Sequence, residues 1–280
     1  MRENRRQGIS LLLPGLALLV SLFYLPQLLM LLVSLGRRTA YGGVERSLSL
    51  ANYLRAVEPL YLAILWRSFV LAAVTTLLCL LVGYPVAWWL ARRAPARWRT
   101  ALLALVILPF WTSFLVRMYA WIVLLRSEGV VNNVLQAAGL PRLPLLYNDF
   151  AVLVGQVYGE LPFMIVPLFV SIERLDPALL EAAADLGADA RRTFTRVVLP
   201  QTLPGIVAGC VLVFIPSLGA YLAPDLLGGG RTAYMGNLIQ SQFAVARDLP
   251  FGAALSFLLS VVVLLLLALF RRPLRAARSL

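Results

Sequence analysis

Glu181-Ala182-Ala183-Ala184-Asp185-Leu186-Gly187, running on through Ala188 to Leu199-Pro200, is the stretch that decides how the chain is read. It lies in a polar segment, residues 173–203, that interrupts an otherwise apolar chain. Asp176-Pro177 has the form of an N-cap followed by proline at the first helical position, so a short helix is expected to begin there. Ala178 to Leu186 are good helix formers, and Gly187 offers the permissive backbone that ends a helix and turns the chain. A second short helix is expected over residues 189–198. It would carry Arg191, Arg192 and Arg196 on one side and Phe194, Val197 and Val198 on another, and Pro200 is expected to stop it. Two short helices hinged at a glycine predict a compact knob, neither a span nor a flexible linker.

Working outward, composition sets the class. Of the 280 residues, 61% are hydrophobic, against about 45–50% in soluble domains. A chain this apolar is expected to be an integral membrane protein, with its length consumed by spans. It contains no histidine, and all 25 basic residues are arginine. Without lysine there is no P-loop, and without histidine there are no His-dependent triads or His metal sites. No catalytic residue, metal or cofactor is therefore expected. Cys79 and Cys210 both lie in apolar runs, where thiols pack, so no disulfide framework is expected either.

Six spans can be read, each meeting the about 20 residues that a hydrocarbon core requires. They cover residues 11–35, 68–90, 101–125, 150–172, 204–222 and 251–270. The first follows Arg2, Arg5 and Arg6, but its apolar run is too long for a signal peptide and no small-residue cleavage site follows, so it reads as a retained helix. With six spans and a cytoplasmic N-terminus, fifteen arginines fall on one side: three before the first span, four at 92–99, four at 174–196 and four at 271–278. Nine fall on the other side, spread over longer loops, and Arg117 lies inside a span. This bias puts both termini and the 173–203 knob in the cytoplasm. The formal charge of +12 is thus topological, and no nucleic-acid partner is implied.

The loops add detail. Residues 36–60 form a polar outer loop in which Leu48, Leu50, Tyr53 and Leu54 are placed to lie on the membrane surface. Residues 92–100 make a short basic inner turn. Gly139-Leu140-Pro141 marks a turn within the outer segment 128–149. Gly228-Gly229-Gly230 gives the last outer segment, 225–250, freedom to bend. No internal repeat is visible.

The central pattern resembles the EAA loop of permease subunits in ATP-binding-cassette importers: Glu-Ala-Ala, three residues, Gly, nine residues, Ile, any residue, Leu-Pro. Glu181, Ala182, Ala183, Gly187, Leu199 and Pro200 occupy those positions, with Val197 in place of Ile. The resemblance extends to spermidine/putrescine-type permeases, carried by the runs Pro109 to Trp121, Tyr158 to Met164 and Phe214 to Gly219. Gly236-Asn237-Leu238-Ile239, Gln242-Phe243 and Ala246 to Gly252 are similar too. It covers most of the chain from Ser68 onward.

The resemblance implies an all-α, polytopic type I importer permease fold of about six transmembrane helices. The chain would be a single transmembrane domain, with residues 1–67 an N-terminal helix and outer loop, 68–270 the core and 173–203 the cytoplasmic coupling loop. Two ATPase subunits, a second permease (a copy of this chain or a different one), a periplasmic or lipid-anchored binding protein and membrane lipids are the implied partners. The implied location is the bacterial inner membrane. ATP hydrolysis would reside in the separate subunits, so the chain itself would be no enzyme. Glu181 and Gly187 would fix the knob's shape, Ala182, Ala183 and Ala184 would allow close approach to the ATPase, and Arg191 and Arg192 would contact it.

Arg117 and Glu160 lie inside spans, where each charge costs about 2.5–3.5 kcal/mol if left in lipid. They must face protein or water. One reading is an ion pair between the two; the other has Glu160 lining the translocation cavity and attracting a cation. Glu160 departs from the family pattern, which often has Tyr there, and Ala220 stands near where related permeases often carry an acid. Asp225 and Asp248 are further candidates for handling a cation. Tyr119, Trp121, Tyr158 and Tyr221 would supply cation–π surfaces or an interfacial aromatic belt. Pro162 and Pro167 allow a broken helix of the kind tolerated where backbone lines a cavity. The expected function is import of a small cationic, polyamine-like solute. The alternatives are an importer of an opine, amino acid, ferric ion or oxyanion, and a self-contained secondary transporter or channel using Glu160 for ion coupling.

Overall fold

The computed structural model describes residues 2–39, 43–45 and 47–276; Arg46 and Arg278, both counted in the arginine bias, lie outside the described residues. Thirteen α-helices and one two-residue hairpin are described. Five helices are long and apolar enough to cross a membrane, and a bent pair makes a sixth span if counted as one. The contacts divide the chain into two units, one of residues 1–62 and 238–262 and the other of residues 63–237 and 263–280.

The smaller unit begins with α1 (Arg2–Ser34). From Pro14 to Phe23 every α1 side chain is exposed, as suits an apolar helix whose solvent is lipid. After α1, β1 (Arg37–Arg38) pairs antiparallel with β2 (Val44–Glu45), Arg37 opposite Glu45. The short helix α2 (Ala51–Ala56) folds back on the end of α1. Asn52 Nδ2 donates to the carbonyls of Ser34 (2.8 Å) and Gly36 (2.9 Å), and the Tyr53 and Ser34 hydroxyls are 2.6 Å apart. Those bonds satisfy carbonyls that the end of α1 would otherwise leave open. Leu48, Leu50 and Leu54 are exposed, as expected of a surface loop, whereas Tyr53 is tied to α1.

In the larger unit α7 (Asp149–Glu173) is the central helix. Around it stand α3 (Pro59–Trp88), α4 (Ala96–Ile107), α5 (Phe114–Leu125), α10 (Leu199–Leu218) and α11 (Leu222–Gly228). Short helices α6 (Val130–Ala137), α8 (Pro177–Asp185) and α9 (Ala190–Thr193) connect them, α12 (Met235–Ala244) follows, and α13 (Leu249–Ala276) closes the chain. Met164, Ile165, Leu168 and Ile172 form one core with Cys79, Ala87 and Leu90 of α3 and its extension. Ala151 and Val152 form a second with Leu71, Met118, Ala223 and Leu227. Cys79 packs in the first core and both cysteines are free.

Small residues let the helices touch. A Cβ on Gly83 would sit 3.1 Å from Met164 Cγ, and one on Gly209 would sit 2.6 Å from Met164 Sδ. At Gly205 it would meet Ser171 Cβ at 2.5 Å and the Pro167 carbonyl at 2.7 Å. Close backbone approach through small residues is how helices associate where lipid offers no hydrophobic drive.

Three sequence expectations change. The third span is not one straight helix: α4 passes through a 3₁₀ turn, Leu108–Trp111, and α5 departs at 89° to it. Pro109 lacks an N–H and crowds the preceding turn, and Thr112 and Ser113 are extended (ψ 149° and 134°). Pro200 does not stop a helix. After α9 a π turn, Phe194–Val198, runs directly into α10, giving a continuous 29-residue stretch, Ala190–Leu218. In the π turn the Leu199 N–H donates to the Phe194 carbonyl, and the fifth span accordingly starts before residue 204 and ends at Leu218. Ala183 is turned inward and buried, so only Ala182 and Ala184 present an open alanine face.

Overpacking at the α7–α10 crossing should be felt. Gly205→Val is expected to destabilise the purified protein by about 1–3 kcal/mol. Gly15→Val, where an added Cβ meets nothing within 4 Å, is expected to leave the melting temperature in detergent unchanged, and equal melting of the two variants would contradict the packing described.

Candidate functional site

The 173–203 segment joins α7 to α10 and is built by local chemistry. Asp176 caps α8, its Oδ1 accepting from the Ala178 N–H at 2.9 Å, with Pro177 at the first helical position. At the other end Gly187 adopts φ +75°, the Ala188 N–H donates to the Ala183 carbonyl (3.0 Å) and the Gly187 N–H to that of Ala184 (2.9 Å). This is a Schellman cap, which closes a helix with a left-handed residue. Asp189 then caps α9, accepting from the Arg192 N–H at 2.7 Å. Of the two short helices expected, α8 stands alone as a capped helix ending at the glycine, whereas the second is the capped start of the continuous Ala190–Leu218 stretch, so the exposed knob consists of α8, the Gly187 turn and the first turns of that stretch. Glu181, Ala182, Arg191, Arg192, Leu199 and Pro200 are exposed on it, and Leu186 beside the hinge is 88% exposed.

The second group lies within the spans. Arg117 of α5 and Glu160 of α7 are both buried, yet no ion pair forms between them. The Arg117 guanidinium instead sits 5.3 Å from the ring centres of Phe110 and Phe114 and 6.0 Å from that of Tyr158. Such ring contacts offset part of the cost of a buried cation. Arg117 Nε and Glu160 Oε2 have no hydrogen-bond partner among the described residues. Gln156, one turn before Glu160 on α7, is 1% exposed and its Nε2 is also unpartnered among the described residues. Sequence reading passed over Gln156, although a glutamine inside an apolar span is itself the signal.

The remaining candidates separate. Trp121 stands edge-on to Tyr158, ring centres 5.6 Å apart, and both line an open apolar pocket of about 280 Å³ with Leu78, Phe150 and Val157. Tyr119 is exposed and away from that pair. Tyr221 precedes α11 and, like Asp225 one turn on, is exposed. Asp248 belongs to the smaller unit, where it is buried and its Oδ2 lies 2.9 Å from Arg55 Nη1. Arg55 also stacks 3.9 Å from the Phe251 ring. Asp248 further accepts from the Phe251 N–H (3.3 Å), so its charge is already committed to holding α2 and the start of α13. It is a structural carboxylate.

One cluster was not foreseen. Asp149, at the start of α7, accepts from Arg67 Nη2 at 3.2 Å and from the Tyr234 hydroxyl at 2.9 Å. Burial, with the adjacent carboxylate, pushes the Tyr234 phenol well above its ordinary range, so it keeps its proton and donates. Next to it the Met235 N–H donates to Ser68 Oγ at 2.7 Å. These bonds tie the start of α7 and the segment before α12 to α3. Among the described residues no group of three His, Cys, Asp or Glu is placed to hold a metal ion.

Residues 83–276 match the family described as binding-protein-dependent transport system inner membrane component. The spermidine/putrescine transport system permease protein PotB of Salmonella typhimurium is 43% identical over 259 residues, covering 92% of this chain and 90% of that protein. The inner membrane ABC transporter permease protein YdcU of Escherichia coli is 34% identical over 286 residues, covering 96% and 91%. The fold is similar to that in the crystal structure of a bacterial ABC transporter involved in import of the acidic polysaccharide alginate, with a TM-score of 0.79 at 18% identity, covering 98% of this chain and 96% of that one. This chain belongs to the binding-protein-dependent transport system inner membrane component family.

Proposed function

We propose that this chain is the permease subunit of an ATP-driven importer that brings a small polyamine-type cation across the inner membrane. The observation that carries the reading is the match to a spermidine/putrescine permease over nine-tenths of both chains, joined to a stiff, exposed knob at the α7–α10 connection. Membership of the family sets aside the self-contained secondary transporter, because its members are components of binding-protein-dependent systems.

On this reading ATP is hydrolysed by two separate ATPase subunits, and this chain is not an enzyme. The 173–203 knob seats on one of them in the cytoplasm, with both termini on the same side, as the arginine bias indicates. Leu186 with Ala182 and Ala184 supplies the apolar contact, and Arg191 and Arg192 supply the charged rim. Glu181 keeps its proposed part in shaping the knob from an exposed position. A second permease, either a copy or a different chain, completes the channel, and a binding protein outside delivers the solute. Alternating access follows when ATPase closure pushes the knob and tilts the α7–α10 pair.

Glu160 with Gln156 presents acceptors to an ammonium group, while the rings over Arg117 hold that cation away from the route. Tyr158 and Trp121 offer aromatic faces at the same level. Tyr119, Tyr221 and Asp225 remain candidates for the outer part of the pathway.

Purification from detergent-solubilised membranes is expected to recover an ATPase, a second permease and a binding protein, and the reconstituted assembly to import radiolabelled spermidine only with ATP inside the partner compartment. Import by the chain alone, abolished by ionophores, would overturn the reading. A binding protein that retains an opine, amino acid, ferric ion or oxyanion instead would reassign the cargo.

Gly187→Leu has open space for its side chain, with nothing within 4 Å of an added Cβ, so its effect is on the backbone. Holding an L-residue in the left-handed region costs about 1–2 kcal/mol, which should loosen the hinge, cut uptake roughly tenfold and leave membrane insertion intact. Wild-type uptake in that variant would contradict the knob's role. Glu160→Gln is expected to lower uptake of spermidine more than that of putrescine, with basal ATPase activity retained; equal, unchanged uptake of both would remove Glu160 from the pathway.

A further inference from the structure

The 173–203 segment is grasped at both ends by the same neighbour. Where the chain leaves α7, Arg92 in the π turn that ends α3, Trp89–Arg93, donates from Nη2 to the Leu175 carbonyl. Arg99 Nη1 of α4 lies 3.5 Å from Glu173 Oε1. Where the segment returns, Tyr84 of α3 stands edge-on to Phe194, ring centres 5.7 Å apart at 83°. The Tyr84 hydroxyl is 3.0 Å from Thr202 Oγ1. Thr202 is fully buried, and its only proton goes to the Val198 carbonyl at 2.9 Å, so Tyr84 is the donor in this pair.

Connectivity gives these contacts their meaning. A push on the knob reaches α7 and α10 through the chain itself. It has no direct chain connection to α3, which is joined to α7 only by way of α4 to α6 and meets it through close packing at Gly83 and Met164. Packing alone fixes distance but allows sliding, whereas directional hydrogen bonds fix register. Phe194 also begins the π turn that leads into α10, and π turns are frequent at functional positions.

We propose that residues 84–99 are the receiver for movement of the 173–203 segment, with Tyr84 and Arg92 as positioning residues that carry its displacement into α3 together with α7 and α10. The inference rests on the coupling role proposed above. It adds a second, non-covalent route from ATPase to span, and makes the α3–α4 turn part of the coupling machinery.

The test uses the full assembly of this chain with its ATPase, second permease and binding protein in liposomes, and reads ATP hydrolysed per solute imported beside the melting temperature of the assembly. Tyr84→Phe and Thr202→Val are each expected to raise that ratio about threefold, the scale of one lost hydrogen bond. The double variant should be no worse than Thr202→Val alone, because the Tyr84–Thr202 bond is already lost in that single variant. Arg92→Met should raise the ratio similarly, and Arg92→Lys, which keeps a donor, should restore most of the coupling. An unchanged ratio in well-assembled Tyr84→Phe and Arg92→Met complexes overturns the proposal. So does a lowered melting temperature with an unchanged ratio, which would mark packing contacts only. Failure of the unsubstituted chain to co-purify with an ATPase would bring down the coupling role itself, before any variant is compared.

Discussion

The approach of α10 to α7 at Gly205 and Gly209 is the contact on which the rest depends. An added Cβ at either position would strike the opposing helix at 2.5–2.6 Å, so the two backbones run closer than any larger residue would permit. The chain between them is thereby pinned at both ends. A polar loop of thirty residues between spans would ordinarily wander, because it buries too little apolar surface to order itself. Here its ends are fixed by the helix pair, and its interior is fixed by three local devices: the Asp176 cap, the Schellman turn at Gly187 and the Asp189 cap. The order of the 173–203 segment thus rests on a crossing within the spans together with its own caps.

The same contact explains why α7 is central. Its small residues face several neighbours: Gly155 lies against Met118 and Leu227, and Gly159 against Phe114. A helix surrounded in this way can carry two prolines, Pro162 and Pro167, without parting, because neighbours hold the weakened turns in place. At Pro109 the chain lacks such support, with the residues of its turn largely exposed, and it bends through 89°. Lack of packing is not by itself enough to bend a helix at proline, since exposed α1 runs on through Pro14 and Pro26; the bend at Pro109 coincides with the extended residues Thr112 and Ser113.

That difference sets the limit of what was legible in the sequence. Caps and the glycine hinge depend on residues within a few positions of one another, so Asp176-Pro177, Gly187 and Asp189 could be read directly. The apolar runs were legible because lipid imposes a minimum length. The passage through Pro200 depends on a π turn formed upstream, and the inward turn of Ala183 depends on how α8 seats against its own chain; neither is local. Charge placement was legible to the level of a helix turn and no further. Arg117 and Glu160 do share a buried region, but the arginine spends its charge on three rings, and the direct pair does not form. Asp248, read as a pathway residue, is taken by Arg55 because a partner 193 positions away cannot be seen from spacing.

Arg117, Gln156 and Glu160 are buried polar groups within spans. An apolar replacement at each would pack as well in a span and avoid the cost of burying polar groups, so stability alone does not account for them. By contrast, Asp248 and Asn132, which are equally buried, have their hydrogen bonds filled by Arg55 and by the Arg126 and Leu143 backbone. Among the described residues, buried polar groups thus include some whose partners fix the ends of helices and others with an atom left unpartnered, the latter found in α3 (Thr75) and α10 (Ser217) as well as in α5 and α7. Of these, Arg117 lies 6.0 Å from the ring of Tyr158, the partner of Trp121, and Gln156 and Glu160 stand on α7, the helix that leads to the 173–203 segment.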